Sequence, residues 1–320
     1  MRRGKATNSI PRWAYPWETL RVTPLIILGC GYLGDHLARA ALAAGRPVRV
    51  CARSTGRLAP LGALGAEVKY LNAGLPKTIN PVLSGWPGAT VVYSVPPVTT
   101  LPPGHAIRAA LQGAHAASAG AFIHFSSSGL YGDLPDDEVW IDEDTPLAQG
   151  DPAMSGFVTD EAAVESCAFD DLRTVILRLA PVYGPGRGMR AQLRKGKYTM
   201  LEDGSHATSR IYIDDVVSVV TAAEERAPLR ARYLVADDEP TTQRTYAEWL
   251  CDRMGLPLPP SRDMYEPGGR RNAHRNRKLR NERMKRELAV TLRYPTFREG
   301  EAAIEAQEAA LEAQAAERQG

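Results

Sequence analysis

The chain has 320 residues, 44% of them apolar, and a formal net charge of +2. That length is enough to bury a sizeable core in one large or two unequal domains, and the near-neutral balance makes no electrostatic case for a polyanionic partner. Four scattered cysteines without C-x-x-C spacing argue against a disulfide scaffold or a zinc site and fit a reducing cytoplasm, and no apolar run approaches the ~18 residues of a membrane span.

Residues 1–22 are basic, carry Pro11, Trp13, Pro16 and Trp17, and show no periodicity; they read as an extension outside the folded domain. Leu25 to Leu28 is a short buried strand, followed by the turn Gly29-Cys30-Gly31-Tyr32-Leu33-Gly34 and a helix to about Ala44. This is G-x-G-x-x-G with a strand before it and a helix after it. Gly29 permits the tight turn, Gly31 lets the backbone approach a pyrophosphate, and Gly34 lets the helix pack on the strand. The unpaired N–H groups and dipole of the first helical turn favour an anion. Further strands read as Pro47 to Ala52, Glu67 to Leu71, and Thr90 to Val95 closed by Pro96-Pro97. A helix from about Ala106 to Ala119 feeds a strand at Phe122 to Phe125, and the acidic, proline-rich residues 133–152 read as a surface loop. A helix over Gly156 to Cys167 and a sixth strand over Thr174 to Leu179 complete the alternation. Such alternation implies an α/β fold built on a doubly wound parallel sheet.

Past Ala180 the regularity breaks. Residues 23–180 read as the dinucleotide-binding domain, with 211–236 returning to it through a strand and helix over Ile211 to Ala223 and a last strand at Tyr233 to Val235. Residues 181–210 and 237–300 suit a small C-terminal lobe, and 301–320 a helix too poor in large apolar residues for a coiled-coil seam but able to pack on its own domain. Arg270 to Arg286 is strongly cationic but lacks interleaved aromatics, so a solvated face is favoured over a nucleic-acid surface.

The Gly29–Gly34 turn, Phe125-Ser126-Ser127-Ser128-Gly129-Leu130-Tyr131-Gly132, Arg178-Leu179-Ala180-Pro181-Val182-Tyr183-Gly184-Pro185-Gly186-Arg187, Arg210-Ile211-Tyr212-Ile213-Asp214-Asp215-Val216 and Tyr294-Pro295-Thr296-Phe297-Arg298-Glu299-Gly300 together resemble the extended short-chain dehydrogenase/reductase superfamily. The resemblance is to its nucleoside-diphosphate-sugar epimerase/dehydratase branch, over about Pro24 to Gly300. It implies a Rossmann-like domain with a C-terminal substrate lobe, a nicotinamide cofactor, and a nucleotide sugar or small carbonyl compound as substrate; it also allows a homodimer.

Catalysis in that family rests on a Ser/Thr, a Tyr and a Lys four residues after the Tyr. The lysine and the nicotinamide charge lower the phenol pKa, so a phenolate exchanges the proton while hydride moves. The resemblance places the hydroxyl at Ser127, with Ser126 and Ser128 as neighbours. Counting from Ala163-Val164-Glu165, the tyrosine position falls on Phe157 and the lysine position on Glu161. Neither residue replaces the original, and none of the twelve tyrosines has a lysine four positions later. Three readings stand at this level: a cofactor-binding relative without the family chemistry, acting as sensor, scaffold or subunit; an oxidoreductase with rearranged acid/base groups among Asp160, Glu161, Tyr131 and Asp133; or a nucleic-acid binder through the basic segment.

Cofactor choice has its own signal. A bare ribose 2′-hydroxyl usually meets an acid about 20 residues past the glycine turn. Arg53-Ser54 stands there, with Arg57 nearby, and a guanidinium matches a 2′-phosphate, so NADP is expected over NAD. Asn72 stands where the family often has an acid near the adenine, and Ser94, Val95 and Pro96 are expected to flank the cofactor ribose.

Overall fold

Apolar runs of four to seven residues, bounded by turns and buried on both faces, suit the inner strands of a parallel sheet. The computed structural model describes residues 22–132, 139–148, 150–167, 169–263 and 276–317. Seven parallel strands, β1 (Leu25–Leu28), β2 (Val48–Ala52), β3 (Glu67–Tyr70), β4 (Thr90–Tyr93), β5 (Ala121–Ser127), β6 (Arg173–Leu179) and β7 (Arg230–Val235), are ordered β7-β6-β5-β4-β1-β2-β3. This is the Rossmann-like α/β fold that the strand–helix alternation implies. Helices α1 (Tyr32–Ala43) and α4 (Ile213–Arg226) pack on one face, and α2 (His105–Ala116) and α3 (Ser155–Glu165) on the other, each face sealing its own apolar core. The fourth strand ends at Tyr93 rather than Val95, because Pro96 and Pro97 have no N–H to extend the ladder.

Apart from α4 and β7, the chain from Pro181 onward forms short two-stranded pairings and α5 (Gln243–Met254). The C-terminal helix α6 (Phe297–Glu317) buries Phe297, Gly300, Glu301 and Ile304 against the body, while its later turns are exposed. The N-terminal extension and residues 270–275 of the basic run lie outside the described residues. In the rest of that run the expected solvated face is only partly present. Arg277 is buried, Arg283 pairs with Asp144 at 2.5 Å and Glu143 at 3.4 Å, and Lys285 pairs with Asp238 at 2.9 Å. Among the described residues no helix is long and apolar enough to cross a membrane.

Asp215 ties the C-terminal segment to this frame. It is 1% exposed, and its two carboxylate oxygens accept from the backbone N–H of Arg293 at 2.8 Å and of Tyr294 at 2.9 Å. Removing the carboxylate strands two donors, one of them buried. Asp215→Ala is therefore expected to cost about 2–4 kcal/mol, read as a lower urea midpoint with unchanged slope.

Candidate functional site

Strand order reverses between β1 and β4, so the loops leaving their carboxyl ends diverge and open a crevice. A cleft of about 870 Å³ runs along this edge. Of the expected cofactor residues, Gly29, Gly31, Tyr32, Leu33, Arg53, Ser54, Asn72, Ser94, Val95 and Pro96 line it, with Arg57 beside them. Gly29 has φ +86°, and a Cβ there would lie 2.8 Å from Val95 Cγ2 and 2.9 Å from the Ser94 backbone, so only glycine fits between the two diverging strand ends. At Gly31 a Cβ would meet nothing within 4 Å; the missing side chain leaves open space over the start of α1, where the first N–H groups have no helical acceptor. Gly34 does not face the cleft. Its Cβ would come within 3.0 Å of Ile27 and 3.1 Å of Cys30 Sγ, which makes it a packing glycine between helix and strand. Asn72 is turned inward on its own loop, its Oδ1 accepting from the Gly74 N–H at 3.1 Å. This cradle fits a dinucleotide: a helix start for the pyrophosphate, two arginines at the far end of β2, and no acid among the described lining residues.

A second cavity of about 350 Å³ adjoins the first, sharing Leu33, Ser94, Val95, Pro96 and Arg187 with it. Ser126, Ser127, Ser128 and Gly129 form one wall, and Phe157, in the first turn of α3, forms part of another. The structure thus brings the expected hydroxyl position and the expected tyrosine position to one cavity. Ser127 Oγ accepts from the Gly129 N–H at 3.0 Å and so caps the short turn after β5.

Glu161 does not line this cavity. It is 3% exposed and lies behind the serines, where Ser126 donates to its Oε1 at 2.5 Å and Arg178 pairs with its Oε2 at 2.6 Å. Arg178, on β6, also donates from Nη1 to the Tyr131 hydroxyl at 2.6 Å. One guanidinium therefore satisfies a carboxylate and a phenol at once, away from solvent.

Three of the four candidates for rearranged acid/base work, Tyr131, Asp160 and Glu161, are buried. Tyr131 is buried outside the cavity wall, and burial pushes its phenol above the usual value despite the Arg178 guanidinium beside it. Asp160 is buried too. Desolvation raises its carboxyl to about 6 against the pull of Arg108, and its Oδ2 finds no hydrogen-bond partner among the described residues. Asp133 lies outside the described residues. Among the described residues no cluster of His, Cys, Asp and Glu has the geometry to hold a metal ion.

Other parts of the walls were not among the expected site residues. Pro97 to Thr100 flank the cleft beside Pro96. Arg187 lies 5.1 Å over the Tyr32 ring, donates to the Val182 carbonyl at 3.1 Å, and lines both cavities. Arg277 reaches the smaller cavity from 149 residues away, donating to the Ser128 carbonyl at 3.2 Å. The turn after the sixth strand signalled Arg187 weakly; nothing local signals Arg277.

Residues 104–236 match the model of the NAD dependent epimerase/dehydratase family. A 3-diazoavenalumate denitrifying reductase from Streptomyces sp is 30% identical over 153 residues, which is 45% of this chain and 50% of the reductase. The chain thus aligns with half the length of that curated relative. A conserved protein of unknown function from Silicibacter pomeroyi DSS superposes with a TM-score of 0.76 at 30% identity, over 89% of this chain and 99% of that one. The dTDP-glucose 4,6-dehydratase DesIV of Streptomyces venezuelae, solved with NAD and TYD bound, superposes with a TM-score of 0.73 at 18% identity, over 88% and 95% of the two chains, and shares the fold.

The Glu161–Arg178 pair makes position 161 intolerant of a cation. Glu161→Lys would set two buried positive charges together and leave Ser126 and Arg178 without their acceptor. A loss of about 3–5 kcal/mol is expected in chemical denaturation, larger than for Glu161→Gln. Asp160 gives a pH signature. Its folded carboxyl keeps its proton to about 6, whereas the unfolded one releases it near 3.8. The native state binds more protons in that window, so this group's contribution falls as pH rises through it and is fully unfavourable above it. Asp160→Asn is therefore expected to gain on the order of 2 kcal/mol over the wild type at about pH 8 and nothing at about pH 3.5.

Proposed function

We propose, for a chain whose residues 104–236 match the NAD dependent epimerase/dehydratase family, that the larger cleft binds NADP(H) and that the family's tyrosine–lysine proton exchange is absent beside it. The observation that carries this reading is at positions 157 and 161. A phenyl ring stands in the cavity wall where a phenol would be needed, and the residue one turn on is a carboxylate locked to Arg178. Phenylalanine moves no proton. A buried Glu161–Arg178 pair contributes little net charge to the cavity, so it supplies no substitute for a lysine cation.

The first-turn N–H groups of α1 would hold the pyrophosphate, and the open space at Gly31 would admit it. Arg53, Ser54 and Arg57 would meet the adenosine ribose, where two guanidinium groups and no carboxylate favour a 2′-phosphate. Ser94, Val95 and Pro96 stand where the two cavities join, so they would flank the nicotinamide half. A bound nicotinamide supplies a hydride donor or acceptor. Losing an acid/base group typically costs about 10²–10⁴ in rate. On this reading the protein works as a cofactor-dependent sensor, scaffold or subunit with little epimerase or dehydratase turnover.

A second reading is favoured by the junction of the cavities. A ligand in the smaller one would share Leu33, Ser94, Val95, Pro96 and Arg187 with the cofactor, the contiguity that hydride transfer needs. The Streptomyces relative is a reductase. In a reductase of this kind the polar side chains at hand beside the reduced atom, among the described lining residues, would be the Ser94 and Ser126–Ser128 hydroxyls and the Arg187 and Arg277 guanidinium groups. Oxidation of NADPH followed at 340 nm over a panel of carbonyl compounds and nucleotide sugars separates the two: steady turnover supports the reductase, and binding without turnover supports the sensor.

Cofactor preference is tested by Arg53→Asp. The carboxylate repels a 2′-phosphate and accepts from a 2′-hydroxyl, so the NADP-to-NAD affinity ratio is expected to fall about 10- to 100-fold in calorimetric titration. An unchanged ratio would mean that Arg53 is a surface arginine with no part in recognition.

A further inference from the structure

We propose that Arg187 binds the pyrophosphate of the dinucleotide together with the first turn of α1; this rests on the larger cleft being the dinucleotide site. Charge placement, anchoring and an open donor face point the same way.

Three of the described residues lining the larger cleft are charged, and all three are arginines. Arg53 and Arg57 follow β2, at the end where the adenosine ribose would lie. Arg187 is the third, and its guanidinium lies 5.1 Å over the ring of Tyr32, the first residue of α1. It therefore stands beside the N–H groups that would receive the pyrophosphate. Those groups and the helix dipole offer about half a unit of positive charge against the two negative charges of a pyrophosphate. No Lys, His, Asp or Glu lines the cleft among the described residues, so Arg187 is the side chain at that end which adds to the helix's contribution.

The arginine is held in this place by its own backbone and by a fixed platform. Val182 and Tyr183 pair in parallel with Ile211 and Tyr212, and Gly184 and Arg187 exchange backbone hydrogen bonds of 3.2 and 3.0 Å across a tight turn. Gly188 leaves that turn at φ +104°, where a Cβ would lie 2.8 Å from the Tyr183 Cβ. Beneath the guanidinium, the Tyr32 ring lies 4.7 Å from the His36 ring, and a Cβ at Gly184 would come within 2.5 Å of the Tyr32 hydroxyl. Nε of Arg187 donates to the Val182 carbonyl at 3.1 Å. Its Nη1 and Nη2 make no hydrogen bond or ion pair with any described residue, and the residue is exposed. The anchored edge of the fork thus faces the chain, and the two free nitrogens match a pair of phosphate oxygens. Part of the ordering cost of binding is already met, because the arginine is positioned before the anion arrives.

The test is a calorimetric titration of the wild type, Arg187→Gln and Arg187→Lys with three probes. These are NADPH, 2′-phospho-ADP-ribose, which lacks the nicotinamide, and 2′-AMP, which lacks the pyrophosphate. Arg187→Gln is expected to weaken NADPH and 2′-phospho-ADP-ribose by the same factor, about 10-fold or more, and to leave 2′-AMP unchanged. NADH should weaken by that factor too, so the NADP-to-NAD ratio stays fixed, unlike in Arg53→Asp. Arg187→Lys should recover part of the loss, because it keeps the charge without the fork. Unchanged NADPH affinity in Arg187→Gln would overturn the proposal. So would a loss with NADPH that is absent with 2′-phospho-ADP-ribose, which would put the guanidinium on the nicotinamide side. An equal loss with 2′-AMP would overturn it as well, because the substitution would then be acting on the whole cleft rather than on one contact. Failure of the wild type to bind NADPH or NADH is a separate result, which removes the cleft assignment and this role with it; wild-type binding that is indifferent to Arg187→Gln removes the role of Arg187 alone.

Discussion

Two charges withdrawn from water at the carboxyl end of the sheet, on Glu161 and Arg178, constrain what the neighbouring cavity is able to do. Each is 3% exposed at its side chain, and each is stable there only because the other is present. The pair is held from two directions: Ser126 at the end of β5 donates to the carboxylate, and Arg178 reaches on to the Tyr131 hydroxyl in the turn beyond. The serine wall of the cavity is thereby fixed from behind. Groups that by type are candidates for proton transfer are consumed in holding β5, β6 and α3 together, and the cavity face is left with hydroxyls, rings and two arginines.

This explains how α3 departs from an ordinary surface helix. Asp160 and Glu161 point inward while Val158 is exposed, so polar and apolar residues do not segregate into the usual stripe. The helix is held by a buried ion pair on one side and by Ala163 and Val164 in the α2-side core on the other. Periodicity therefore assigns this helix no face. A reader of the sequence places Asp160 and Glu161 in solvent because charged residues are seldom buried unless paired, and the partner, Arg178, lies on a strand 17 residues further on.

Legibility in the sequence follows the distance over which each feature is built. The glycine turn is a local device: strand, tight turn and helix are adjacent in the chain, and each glycine answers to a neighbour or to open space, as Gly29, Gly31 and Gly34 do here. The alternation of strands and helices is local too, and with the handedness rule it specifies most of the sheet order. The cavity walls are not local. Arg277 is delivered by the backbone pairing of residues 207–209 with 277 and by the parallel pairing of Lys278 and Leu279 with Trp140 and Ile141. None of these partners is near in sequence, and a basic stretch without interleaved aromatics gives no sign that one of its arginines turns inward.

The Glu161–Arg178 pair bears on how the proposed loss of tyrosine–lysine chemistry would be reversed. A tyrosine at 157 is a small step, because one hydroxyl is added to a ring already at the cavity wall. A lysine at 161 is not. It would enter a buried position whose surroundings are built for a carboxylate, and Arg178 would have to lose its charge in the same step to avoid two unscreened cations. Neutralising Arg178 first would leave Glu161 buried without a counter-ion and Tyr131 without its donor. Every single-residue path therefore passes through an uncompensated buried charge, and the sites are too close for their effects to add independently. On the proposed correspondence, the replacement at 161 is locked by the packing of β6 against α3, so the absence of a free cation at that position is a property of the fold's interior as much as of the site.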